Sequence, residues 1–102
     1  MRAVQSDAVV DTPGHTGQRV TVRYFAWVRE KVGRVEETID VPADVATAGA
    51  FVAWLAQRGD EYAEAFRRPE VVRVALDQVH VKASASIRGA REIALFPPVT
   101  GG

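Results

Sequence analysis

The residues of this sequence best placed to do chemistry are its last seven, FPPVTGG, residues 96–102. Gly101 and Gly102 carry no side chain and accept almost any backbone angle, so a channel too narrow for larger residues admits them. Such a channel would receive the terminal carboxylate of Gly102. A carboxylate resists nucleophiles because its oxygen leaves poorly. Adenylation by a partner enzyme turns it into a reactive mixed anhydride. Sulfide from a donor then gives a thiocarboxylate, and a lysine amine gives an isopeptide bond. Pro97 and Pro98 offer no N–H to a sheet, so they end the strand before them. Together they stiffen the chain beyond that strand and aim Val99, Thr100 and the glycines away from the domain. From Phe96 the tail reaches at most about 20 Å, at ~3.3 Å per residue, enough to enter a deep pocket on another protein.

The rest of the chain supplies no catalytic constellation. His15 lies in an irregular N-terminal stretch and His80 on a short strand, which makes no metal site. Glu36 and Glu37 fall on opposite faces of a strand and read as solvated charge. Ser84 and Ser86 have no histidine or aspartate at a suggestive spacing. The glycines near Gly59 and Gly89 lack the pattern of a phosphate loop. With no cysteine, a disulfide, a thiolate zinc site and a persulfide on this chain are all excluded. Lys+Arg and Asp+Glu both number 13, which argues against a strongly basic nucleic-acid face. No apolar run approaches the ~20 residues of a membrane helix, and the N-terminus lacks the apolar core of a signal peptide. The expected location is the cytoplasm. No bound cofactor or metal is expected. Any ATP would be used by the activating partner.

The elements that must position this tail can be read from periodicity. The 102 residues suit one domain, and 47% hydrophobic with 25% charged residues is an ordinary globular balance. Residues 1–18 show no sustained period and read as a flexible extension, with 8–10 as a candidate edge strand. Residues 19–96 read as the folded domain and 97–102 as an extended tail. In RVTVRYFAWV, Val20, Val22 and Tyr24 alternate with Thr21, Arg23 and Phe25, the period of a strand. WVREKVG comes next as a short helix or turn capped by Gly33. VEETIDVP is a second, antiparallel strand stopped by Pro42. Residues 43–60 form the main helix. Its apolar stripe is Val45, Ala48, Val52, Leu55 and Ala56, with Thr47 or Asp44 at its start and Gly59 at its end. Gly49 within it suggests close packing. EYAEAF adds a short helical turn, ended before Pro69. Val72, Val74 and Leu76 alternate, Asp77-Gln78 turn the chain into Val79–Val81, a loop turns at Gly89, and EIALF is the last strand. One helix crossing between two strand pairs lets the first and last strands lie parallel in mid-sheet. This is an α+β arrangement, the β-grasp or ubiquitin-like fold: a mixed sheet with one main helix packed across it.

On these residues the chain resembles the MoaD family, the small sulfur-carrier subunits of molybdopterin synthase, over roughly residues 19–102. The resemblance rests on VRYFAWVREKVG, VALDQVHV and EIALFPPVTGG. The last is the most specific, since thiamine-pathway carriers and the tRNA-thiolation modifier also end in GG but usually without FPPV. The resemblance implies that an E1-like, MoeB-like enzyme adenylates Gly102 and that sulfur is added as a thiocarboxylate. It implies that the tail enters a MoaE-like large subunit, which holds the active site, and gives its sulfur to cyclic pyranopterin monophosphate in molybdenum cofactor biosynthesis. It further implies that Phe25, Phe96 and the tail residues Pro97, Pro98, Val99 and Thr100 meet partners, and that Arg29 pairs with an acidic residue of the large subunit. The residues alone leave Phe25 and Phe96 as either interface or core, although alternation sets both opposite the faces of Val22 and Leu95. The sequence departs from the family at Ala90-Arg91-Glu92, at Asp77 where asparagine is usual, and at Arg73 where an apolar residue is expected. These departures bear on partner choice. A carrier for thiamine synthesis or tRNA thiolation, or a ubiquitin-like protein modifier, is the alternative.

Overall fold

The structure, a computed structural model, describes residues 17–98. The N-terminal extension up to residue 16, with the candidate strand at 8–10, and the tail residues Val99, Thr100, Gly101 and Gly102 lie outside the described residues. Five strands form one mixed sheet in the order β2-β1-β5-β3-β4. They are β1 (Gln18–Tyr24), β2 (Glu36–Val41), β3 (Arg73–Leu76), β4 (Val79–Val81) and β5 (Glu92–Phe96). β1 pairs antiparallel with β2 and parallel with β5, the arrangement that the helical crossover permits. β3 lies antiparallel to both β5 and β4.

Alternation decides the faces. Val20, Val22 and Tyr24 of β1, Ile39 and Val41 of β2, and Ile93 and Leu95 of β5 are buried toward the helices. The helical layer is α1 (Ala26–Val32), α2 (Ala48–Leu55) and α3 (Asp60–Ala65), with a 3-10 turn after it at Pro69–Val71. α1 ends at Gly33, whose φ of 83° is the left-handed cap and whose N–H returns to Arg29 O at 2.8 Å.

The main helix is shorter than periodicity alone suggests. Of the two candidate caps, Thr47 is the one used: its hydroxyl accepts the Ala50 N–H at 3.1 Å. The first free helical donors are taken by the loop before β5. Ala48 and Gly49 donate to Ala85 O and Ala83 O, both at 2.9 Å. Those bonds fix the start at Ala48 and leave Val45 outside the helix. The buried stripe is Ala48, Phe51, Val52 and Leu55, so Phe51 joins it, while Val45 and Ala56 are only partly buried against it. Gly49 packs as expected, since a Cβ there would lie 3.3 Å from Ala83 Cβ. Gly59 does not cap this helix. The helix closes at Ala56 in right-handed geometry, and Gly59, extended at φ 163°, instead opens α3, its carbonyl accepting the Ala63 N–H. At Asp77-Gln78 both φ values are positive, 49° and 73°, as a two-residue hairpin of type I′ requires.

Glu37 corrects the expectation of solvated charge. Its carboxylate accepts the hydroxyls of Tyr24 at 2.7 Å and Tyr62 at 2.6 Å, both buried side chains, and Arg58 and Arg34 approach it at 3.5 and 3.8 Å. Burial pushes this carboxyl up. The two tyrosine hydrogen bonds and the arginine charges outweigh burial and hold it below its ordinary value. Burial, reinforced by the bond to Glu37, pushes both tyrosines up, so they remain neutral donors. Through this one carboxylate, α3 is tied to β1 and β2.

Candidate functional site

β5 is the strand from which the tail leaves, and its position makes the exit rigid. It lies between β1 and β3 and is paired on both sides. Phe96 is its last residue, and Pro97 and Pro98 come after it outside the sheet, both half-buried. With no N–H on either proline the ladder stops where the sequence says it should.

The backbone sets Phe25 beside Phe96 at this exit. Tyr24 is in register with Leu95, and the next N–H along, that of Phe25, donates to Leu95 O at 3.1 Å. Phe25, the residue directly after β1, is therefore level with Phe96, the last residue of the parallel β5. Phe25 is 38% exposed and Phe96 is half-buried, and neither belongs to the buried core. Of the two readings left open by the sequence, core is set aside. Ala26, at φ 55°, holds an unfavourable left-handed angle directly after Phe25 and turns the chain into α1. Arg29 lies one helical turn further on, its N–H donating to Phe25 O at 3.3 Å. It is exposed, and among the described residues no carboxylate lies within 4.0 Å of its guanidinium. Phe25, Arg29, Phe96, Pro97 and Pro98 thus gather at one end of the sheet. Val99, Thr100, Gly101 and Gly102 lie outside the described residues.

Other residues of this face could not be assigned from local pattern. Across the side of the sheet away from the helices, register sets Glu36, Arg23, Ala94, Ala75 and His80 in one row. Ala75 and Ala94 are buried by larger neighbours and form a low floor. His80 leans on Phe96, with ring centroids 4.9 Å apart and planes at 46°. On the other side Arg23 sits over the Phe25 ring at 5.3 Å, with Glu92 at 3.4 Å and Glu36 at 3.6 Å. The Glu36 distance is too long for a hydrogen bond, and Arg23 Nε is buried with no acceptor among the described residues. Alternation along β1 was the only local signal linking Arg23 to Phe25. His80 and the alanines needed the strand order. Asp77, which departs from the family's usual asparagine, accepts the N–H groups of Arg91 and Glu92, each at 3.0 Å, and so anchors the start of β5.

Among the described residues, no group of three His, Asp or Glu side chains is placed to hold a metal ion. No described helix is long and apolar enough to cross a membrane. What the site offers chemically is a stiff exit with an aromatic pair beside it.

Comparison with known proteins extends this picture through the tail. The profile of the ThiS family matches residues 22–102. The molybdopterin synthase sulfur carrier subunit of Haemophilus influenzae is 39% identical over 83 residues, covering 81% of this chain and 99% of that protein. Its Escherichia coli counterpart is 35% identical over the same lengths. Among solved structures, SAMP1 of Haloferax volcanii, a small archaeal modifier protein, superposes with a TM-score of 0.61 at 22% identity, covering 83% of this chain and all of that one. A second Haloferax volcanii protein, known in solution, gives a TM-score of 0.67 at 25% identity and covers 90% of this chain and 93% of its own. These neighbours are ubiquitin-like, and the mixed sheet with its helical crossover is a β-grasp. With the profile running from β1 to the last glycine and two relatives matched over nearly their whole length, the chain belongs to the ThiS/MoaD family.

Proposed function

We propose that this chain is the sulfur-carrier subunit of a molybdopterin synthase, partnered by a large subunit that contains the active site. The observation that carries the proposal is the family match, which spans residues 22–102, and it includes relatives of that name. In this reading an adenylating enzyme joins the Gly102 carboxylate to AMP and releases pyrophosphate from ATP. Sulfide from a donor then displaces AMP, which leaves a thiocarboxylate. The tail next enters the large subunit and passes its sulfur to the pterin precursor, cyclic pyranopterin monophosphate. The domain contributes no reacting group of its own. It holds β5 rigid, ends the ladder at Pro97 and Pro98, and offers Phe25, Arg29 and Phe96 as a docking face.

The test is intact mass after co-expression with the adenylating enzyme and sulfur donor of the same genome. The expected product has one oxygen replaced by sulfur at Gly102. A chain lacking Gly102 should fold normally and gain no sulfur. Absence of the exchange in the complete chain overturns the proposal. Recovery of the chain joined to lysines of other proteins would make it a modifier instead.

A further inference from the structure

Basic side chains flank the aromatic residues at the end of the sheet where the tail leaves. On the β1 side Phe25 and Phe96 stand with Arg23 and Arg29. On the β4 side the register sets Arg73 opposite Phe96, and Lys82 comes directly after Val81, the partner of Val74, so it lies beyond Arg73. Arg73 and Lys82 are both exposed, and both line a cleft of about 390 Å³ between α2 and the β3–β4 edge. Among the described residues neither has a carboxylate within 4.0 Å. The β1 arginines differ: Arg19 is paired with Asp40, and Arg23 with Glu36 and Glu92. The cleft's one carboxylate, Glu70, is engaged by Arg68 at 3.2 Å. Two neighbouring cations with no counter-charge raise each other's energy and attract an anion. Arg73 is paired with Phe96 across a single ladder step, so a protein that covers Phe96 also meets Arg73.

We infer that Arg73 and Lys82 are specificity determinants that select a large subunit presenting a carboxylate side chain beside its tail channel. The inference rests on the proposed function and adds the chemistry of the partner's surface. Covering the face removes water from the aromatic side and strengthens the charge pair at its margin. A partner with an apolar or basic residue there would leave Arg73 desolvated without compensation, and it would be rejected.

Calorimetric titration of the full chain with the large subunit from the same genome tests this, with circular dichroism confirming that each variant is folded. Arg73→Glu should weaken binding at least about tenfold, and Lys82→Glu should act in the same direction. Arg73→Leu should weaken it less, and its binding should depend less on salt than the parent's between about 0.01 and 1 M, where the screening length falls from ~30 to ~3 Å. Reversing the partner's carboxylate to lysine should restore binding to Arg73→Glu. Binding of Arg73→Glu within about twofold of the parent, or tighter binding by Arg73→Leu, overturns the inference and leaves the proposed function standing. A free-chain dimer that Arg73→Glu dissociates would identify a second copy as the occupant, and this also overturns it. Failure of the parent chain both to bind the large subunit and to gain sulfur removes the proposed function, and the inference falls with it.

Discussion

Removing the Glu37 carboxylate should cost this domain a large part of its stability. In Glu37→Ala the hydroxyls of Tyr24 and Tyr62 lose acceptors at 2.7 and 2.6 Å. Hydrogen bonds to a charged group contribute about 1.5–3 kcal/mol each, which gives an upper range of about 3–6 kcal/mol. The Glu37 side chain is 14% exposed, so water entering the vacated space recovers part of this. The expected loss is about 3 kcal/mol, against the ~5–15 kcal/mol typical of native proteins. Urea unfolding monitored by fluorescence of Trp27 and Trp54 measures it. The triple variant Tyr24→Phe, Tyr62→Phe, Glu37→Leu removes donors and acceptor together and should recover most of the loss. The pH dependence has a fixed sign. The folded Glu37 carboxyl lies below its ordinary value of 4.5, so its contribution is complete above that value and disappears as pH falls through the lower folded one. Glu37→Ala should lack this acid-sensitive component. A loss below about 1 kcal/mol with unchanged denaturant slope, or a triple variant no more stable than Glu37→Ala, would refute the reasoning.

The geometry sets three further outcomes. Gln78→Gly places the preferred residue at a φ of 73° in the hairpin and should raise the urea midpoint by an equivalent of about 0.5–1 kcal/mol. Asp77→Ala removes the acceptor for the Arg91 and Glu92 N–H groups and should cost about 1–2 kcal/mol, with faster amide exchange at those two positions. Phe96→Asp should lower stability by less than about 1.5 kcal/mol, because the ring is half-buried and its main described aromatic contact is His80, yet it should abolish measurable binding of the large subunit.

The parts of the fold legible in the sequence are those set by local pattern. Val20, Val22 and Tyr24 announce β1 and its buried face, and Pro97-Pro98 announce the end of β5. The proximity of Phe25 and Phe96 is implied once β1 and β5 are taken as parallel neighbours. The start of α2 is not legible, because it depends on Ala83 and Ala85, whose carbonyls arrive from 34 and 37 positions later in the chain to take the first N–H groups of α2. The role of Glu37 is hidden for a similar reason. Its tyrosine donors lie 13 and 25 residues away, and only the folded sheet brings both to one carboxylate. Arg73 and Asp77 stand out in the sequence as departures, but their surroundings come only with the register of β3 against β5.

The central placement of β5 also has a mechanical consequence. A pull on the tail acts along the strand axis and loads the ladders to β1 and β3 together, in shear. The backbone bonds on both flanks then share the force, whereas a strand at the sheet margin pulled crosswise would peel open one bond at a time. In the proposed sulfur-carrier role, a partner that grips and releases this tail round after round should find the domain behind it still folded each time.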